Sequence, residues 1–363
     1  MLKEGEVRIP AGCAISGIFS RAGKPISGGE IVSSISTMHD RSNGLGGGFA
    51  AYGIYPEYPE HFAFHLFYDS DAAKRACEAE LKTFFTVADE GPIPTRKVPG
   101  VGNGPIIWRY FAAPRPEKME ALKMDEQEYT VRFVLRINRD IGGAYIFSSG
   151  KNMGVFKAVG FPEDVGEFYK LESYRGYSWT AHGRYPTNTP GWWGGAHPFA
   201  LGQYTIVHNG EISSYDANRR FIEMFGYHCS LLTDTEVITY VFDYLNRVQG
   251  LSLEDIALVI AAPFWEEIDR MPEEQKRKLY YLRNMFASLL ITGPFSIILG
   301  FDKGIMALND RLKLRSMVAG EKDDRLYIAS EECAIRVLAP QLDKFYAAQG
   351  GVPIIARLEE GTN

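Results

Sequence analysis

The 363-residue chain carries 39 Lys and Arg against 45 Asp and Glu, a formal net charge of −6, and 45% of its residues are hydrophobic. No block of basic residues gathers on any segment, which argues against nucleic acid and anionic membrane surfaces as partners, and no apolar run approaches the roughly 18–20 residues that span a bilayer. Four scattered cysteines (Cys13, Cys77, Cys229, Cys333) form no CxxC pair and no metal-ligand spacing, so they read as thiols of a reducing, cytoplasmic compartment with no metal.

In chain order, residues 1–12 are a short polar leader, MLKEGEVRIPAG, without the apolar segment of a secretory signal. CAISGIFS alternates as a buried strand, and EIVSSISTMH reads as a helix after the Gly28–Gly29 break. The glycine-rich RSNGLGGGFAAYG reads as a turn. It lacks both the Lys-Ser/Thr ending and the GxGxxG spacing of a phosphate loop, so its glycines point to close backbone packing. From about 57 to 145 the pattern changes and predicts a small α/β insert. HFAFHLFYD is a strand, DAAKRACEAELKTFF a helix, EGPIPTRKVPGVGNGP a connector, EKMEALKM a short helical stretch and YTVRFVLRI a second strand. Beyond it AYIFSSG, YSWTAHGR, QYTIVHNGEI, FSIILGF, GIMALND and RLYIASE read as strands. Helices are expected near 214–226, 233–248, 251–262 and 272–291, and the whole reads as antiparallel sheets covered by helices.

Four islands carry candidate chemistry: Cys13, HGRYPTN at 182–188, HNGEI at 208–212 and TDTEV at 233–237. Each has an ordinary reading by itself. A lone Cys is usually a small buried hydrophobe, Asn-Gly is a common hairpin dipeptide, and residues 233–236 have capping-box spacing ahead of an apolar helix face. Their order is more specific. Cys13, Arg41, Arg184 with Thr187, Ala196-His197-Pro198, His208-Asn209-Gly210 and residues 233–236, followed by GPFSIILGFDKGIMALNDRLKLRSMV and LYIASEECAI, resemble the glutaminase domain of class II glutamine amidotransferases, which are N-terminal-nucleophile hydrolases. The resemblance covers residues 13–56 and roughly 175–340. The long form HGRYPTNTPGWWGGAHPF is similar to the stand-alone glutaminase subunit of archaeal-type glutamate synthases.

The resemblance implies an α+β fold, a four-layer α/β/β/α sandwich of two antiparallel sheets, over residues 13–363. It also implies a catalytic set and a substrate set. Cys13 attacks the side-chain amide of glutamine, while Asn209 and Gly210 supply the oxyanion donors. Arg184 and Thr187 take the α-carboxylate, Asp234 the α-ammonium, His197 sits in the glutamine pocket and Arg41 near the nucleophile's terminus. The residue types suit those tasks: a guanidinium fork matches a carboxylate, and an α-amine titrating near ~7.7–8.0 is a usable base at neutral pH. That base exists only if residues 1–12 are removed. Two positions depart from the family pattern, Ala14 where it has Gly and Asn188 where it often has His. His39 and His182 read as structural. The chain carries no FMN-domain pattern, iron–sulfur spacing or nucleotide motif. The resemblance therefore places FMN and an iron–sulfur cluster on a partner synthase subunit that accepts the ammonia. Three alternatives stand beside this reading: a catalytically silent glutamine-binding subunit, the amidotransferase subunit of an N-methylglutamate synthase-like complex, and an amidohydrolase acting on another amide.

Overall fold

Strand Ala14–Ser20 shows how the layers are built. Ala14 and Ile18 point to one side of it and Ile15 and Phe19 to the other, as the period of two requires, and each pair enters a different core. Both sides are buried because this strand lies inside a seven-stranded antiparallel sheet, between Arg325–Ala329 and Ser178–Gly183. The structure is a computed structural model and describes residues 12–185, 191–359 and 361.

The same alternation occurs in a second, five-stranded antiparallel sheet centred on Phe295–Phe301. There Val207 and Ile298 face the first sheet and pack with Ile15, Phe19, Leu326 and Ile328, whereas Ile206, Ile297 and Leu299 face outward. The outer side of the seven-stranded sheet is covered by helices Gly28–Ser36, Pro162–Phe168 and Cys333–Arg336, through Ile31, Ile35, Val165 and Ile335. The outer side of the five-stranded sheet is covered by Asp234–Asp243 and Leu253–Ile260, through Val237, Ile238, Val241 and Ile256. The result is the four-layer α/β/β/α sandwich of two antiparallel sheets, an N-terminal-nucleophile hydrolase fold.

Residues 62–148 add a four-stranded antiparallel sheet in the order Phe85–Pro92, Ile106–Pro114, Phe62–Tyr68, Ala144–Ser148. Phe64, Leu66 and Tyr68 pack into the core that also holds the helical layer over the five-stranded sheet. Ala63 and Phe67, on the opposite face, enter the core under the seven-stranded sheet.

The structure corrects the expected elements in several places. YTVRFVLRI is not a strand but the middle of helix Glu126–Asp140. Alternating Tyr129, Val131 and Phe133 imitate a strand, but Tyr129, Phe133 and Ile137 also recur every fourth residue on one buried face, and Asp125 caps the start by accepting from Glu128 N at 2.8 Å. The connector after residue 85 contains the end of one strand, and Ile106–Pro114 is a full strand that the expected elements omit. The glycine-rich turn holds strand Gly47–Tyr52. A side chain at Gly48 would sit 2.1 Å from His197 O, so its glycine is needed for close backbone approach. Ala14 is extended and fully buried, so the departure from Gly imposes no left-handed backbone there.

Candidate functional site

The ends of three elements meet at one side of the two sheets. Cys13 precedes the first strand, Arg184 and Tyr185 follow Ser178–Gly183, and Asn209 and Gly210 close Tyr204–Gly210. Helix Asp234–Asp243 starts beside them, capped by Thr233, whose hydroxyl accepts from Glu236 N at 3.3 Å. The reciprocal half of the expected capping box is absent. The Glu236 carboxylate instead accepts from Ser230 N at 3.1 Å and Leu231 N at 2.9 Å, pinning the loop that leads into the helix. These ends enclose a cleft of about 660 Å³ lined by Cys13, Arg184, His197, His208, Asn209, Gly210 and Asp234 among others. That volume suits a small, polar molecule.

The Cys13 thiol accepts from Tyr185 N at 3.3 Å and lies 3.8 Å from Tyr185 O. Burial pushes its pKa up; the Tyr185 N–H and the guanidinium charges of Arg184 and Arg315 oppose the shift without reversing it. Cys13 is therefore a protonated thiol that needs a base. Arg41 donates from Nε to Cys13 O at 3.1 Å and from Nη1 to Glu331 Oε1 at 2.8 Å, so it fixes the nucleophile's backbone. The space beside the Gly12 Cα, just before the nucleophile, lies 3.4 Å from Arg315 Nη1, 3.7 Å from Asn209 Oδ1 and 3.9 Å from Arg41 Nη2.

Asn209 is 1% exposed, and neither atom of its side-chain amide has a hydrogen-bond partner among the described residues. A buried amide left unpaired costs about 1–3 kcal/mol, so a group aimed at a cleft in this state is a donor held ready for a ligand. Gly210 has φ +155°, and a Cβ there would meet Pro294 O at 2.0 Å, so this position excludes any side chain. Arg184 is 3% exposed; burial lowers its pKa, and the Asp234 carboxylate counters this. Burial also pushes the Asp234 carboxyl up, but His208, the Ile212 N–H at 3.2 Å and Thr235 outweigh it and hold the group below the usual carboxylate range. Asp234 is thus an anion at neutral pH.

Of the residues expected at the site, Cys13, Arg184, His197, Asn209, Gly210 and Asp234 line the cleft, and Arg41 braces Cys13. Thr187 and Asn188 lie outside the described residues. His39 pairs with Glu163, and His182, fully buried, donates from Nε2 to His208 O at 2.9 Å. Three contributors escape sequence reasoning. Tyr185 acts through its backbone, which no side-chain pattern marks. Arg315 is indistinguishable in sequence from neighbouring Arg311 and Lys313. Thr235 hides inside a motif whose flanking acids draw the attention. No group of three or more His, Cys, Asp or Glu among the described residues is placed to hold a metal ion, and no helix there is long and apolar enough to cross a membrane.

The sequence profile of the class II glutamine amidotransferases matches residues 100–360. An uncharacterized protein of Archaeoglobus fulgidus is 48% identical over 350 residues, 96% of this chain and 92% of that protein. The amidophosphoribosyltransferase of Methanocaldococcus jannaschii is 25% identical over 229 residues, 62% of this chain but only 43% of that protein. Among solved structures, the glutamine phosphoribosylpyrophosphate amidotransferase from B. subtilis with ADP and GMP is 13% identical, with a TM-score of 0.48, over 95% of this chain and 47% of that one.

Proposed function

This chain belongs to the class II glutamine amidotransferases, and we propose that it is the glutaminase component of a glutamate-synthase-type complex, releasing ammonia from glutamine through a Cys13 thioester. The observation that carries this reading is the cleft itself. It places a thiol, a buried guanidinium, a carboxylate held ionised and an unpartnered Asn209 amide around one small volume.

In the proposed reaction Arg184, with Thr187, binds the α-carboxylate of glutamine and Asp234 its α-ammonium, which directs the side-chain amide toward Cys13. Cys13 Sγ bonds to the amide carbon, and its proton passes to the Cys13 α-amine. The negative oxygen is met by Asn209 Nδ2 and Gly210 N–H. The C–N bond then breaks as the ammonium form of the amine returns its proton to the leaving nitrogen, giving ammonia and a glutamyl thioester. Water, deprotonated by the same amine, attacks the thioester and regenerates the thiol with glutamate. A thiol must lose its proton to attack, and a nitrogen in peptide linkage to Gly12 cannot take it. The reading therefore includes removal of residues 1–12.

The ammonia acceptor belongs, on this reading, to a separate synthase subunit bearing FMN and an iron–sulfur cluster. The support is the likeness of HGRYPTNTPGWWGGAHPF to the stand-alone glutaminase subunits. Treating the chain from its native host with 6-diazo-5-oxo-norleucine, then measuring intact mass and N-terminal sequence, tests the scheme. The expected product begins at Cys13 and carries one adduct there. A chain that keeps its leader, with Cys13 unlabelled even beside candidate partners, is instead a glutamine-binding subunit without glutaminase activity.

A further inference from the structure

Behind the cleft, one hydroxyl meets three groups of the site. Thr235 Oγ1 lies 2.6 Å from His197 Nε2, 3.1 Å from His208 Nδ1 and 3.3 Å from Asp234 Oδ1. His208 Nδ1 is also 3.5 Å from Asp234 Oδ1. The other ring nitrogens, His197 Nδ1 and His208 Nε2, are buried and have no hydrogen-bond partner among the described residues, and both histidines contribute to the lining of the cleft.

A hydroxyl has one proton and two lone pairs, so the three contacts constrain one another. Asp234 is the charged acceptor, and a charge-assisted bond draws the hydroxyl proton most strongly. With Thr235 donating to Asp234, both lone pairs are left to accept, one from His197 Nε2–H and one from His208 Nδ1–H. An imidazole in its neutral form carries a single N–H, so this pattern of donation leaves His197 Nδ1 bare and, in the neutral form of His208, its Nε2 as well. Neutrality of His197 follows from its surroundings: burial, and the neighbouring His182, Arg184, His208 and Lys157, push its pKa well below the ordinary value. His182 stacks on it at 4.0 Å.

We infer that Thr235 fixes the tautomers of His197 and His208 so that two bare ring nitrogens join the Asp234 carboxylate as acceptors for the α-ammonium of the substrate. This rests on the glutaminase reading. It makes Thr235 a positioning residue and the two histidines determinants of specificity for an α-amino acid over its deamino counterpart. An ammonium has three N–H donors, and a carboxylate already engaged by Ile212 N and Thr235 satisfies them poorly alone. A reversed His197, with a proton on Nδ1, would present a donor to the ammonium and repel it.

The test uses L-glutamate, the reaction product, which is not turned over, and glutarate, which lacks only the amino group. Calorimetric titration of the chain isolated from its host should give a clear preference for glutamate. Thr235→Val should weaken glutamate by about tenfold or more, the size of one hydrogen bond to a charged group, and leave glutarate unchanged. Thr235→Ser, which keeps the hydroxyl, should restore the preference, and its melting curve shows whether Val has merely unsettled the fold. Equal weakening of both ligands by Thr235→Val in a folded protein overturns the inference and leaves the glutaminase reading intact. Absence of glutamate binding by the wild-type chain overturns the glutaminase reading itself, and the inference with it. Independently of any ligand, ¹⁵N–¹H correlation spectra of the histidine rings should show protons on His197 Nε2 and His208 Nδ1. A proton on His197 Nδ1 overturns the inference whatever the affinities.

Discussion

Arg184 and Asn209 line the same cleft, yet the proposed reaction asks different things of them. Arg184 meets a carboxylate that carries the same charge in the ground state and the transition state. Asn209 meets an oxygen that becomes negative only as Cys13 adds. The first contact is uniform binding and the second is differential. Arg184→Lys keeps the charge but loses the planar fork, so it should raise the glutamine KM by about tenfold to a hundredfold with kcat little changed. Asn209→Ala should lower kcat by about 10²–10³-fold with a small change in KM, the usual effect of removing one oxyanion donor. Steady-state glutaminase kinetics on the two variants check both, and an unchanged KM for Arg184→Lys removes Arg184 from the carboxylate role. Both residues were legible in the sequence because each belongs to a short ordered motif. Arg315 was not, because its nearness to the nucleophile comes from the path of a loop, and nothing local separates it from Arg311.

At the scale of elements, helix Asp234–Asp243 and strand Met153–Ala158 bury opposite charges beside the site. Every residue of that helix from Thr235 to Asp243 is buried, so Glu236 has no route to water, and its carboxyl is pushed up to about 7 by burial. Lys157 is equally enclosed. Its Nζ donates to Gly194 O at 2.9 Å and sits 4.6 Å above the Phe199 ring, and burial pushes its pKa down to about 7. The lysine thus ties the segment before Ala196 and His197 to the seven-stranded sheet. Its folded pKa lies below the unfolded value, so between about 7 and 10.5 the unfolded chain holds a proton that the folded chain has lost. Lys157 therefore adds stability as pH rises through that window and subtracts it below. Urea unfolding of wild type and Lys157→Met at pH 7 and pH 9.5 should show the difference moving in favour of wild type at the higher pH. A difference that does not change with pH means that Lys157 is already charged and solvated in the folded protein. The same scale shows why some elements escaped the sequence. Glu126–Asp140 carries Val131, Val134 and Ile137, residues that favour strands, and only its cap and its four-residue recurrence betray the helix. Gly47–Tyr52 is masked by glycines that serve backbone approach, and Lys344–Ala347 is a largely exposed edge strand with little burial to pattern it.

For the whole molecule, the layering depends on contacts that periodicity cannot express. Alternation in Ala14–Ser20 announces two buried faces, but not that Ile298 and Val207 of another sheet fill one of them. The family resemblance implies that layering, and the shared cores account for it physically. The arrangement also bears on where the ammonia goes. Leu232, 65% exposed, lines the cleft, so its mouth presents an apolar surface to solvent. Ammonia leaving there unescorted would meet bulk water, take up a proton and lose its nucleophilicity. In the proposed complex the synthase subunit covers the mouth and receives the ammonia before that exchange. Supplying the reconstituted complex with glutamine labelled with ¹⁵N at the side-chain amide, in a large excess of unlabelled ammonium, separates the two routes. Direct delivery predicts a product whose new amino group is almost wholly ¹⁵N. Release and recapture predict label diluted to the ratio in solution, and that outcome would leave a glutaminase with no dedicated acceptor.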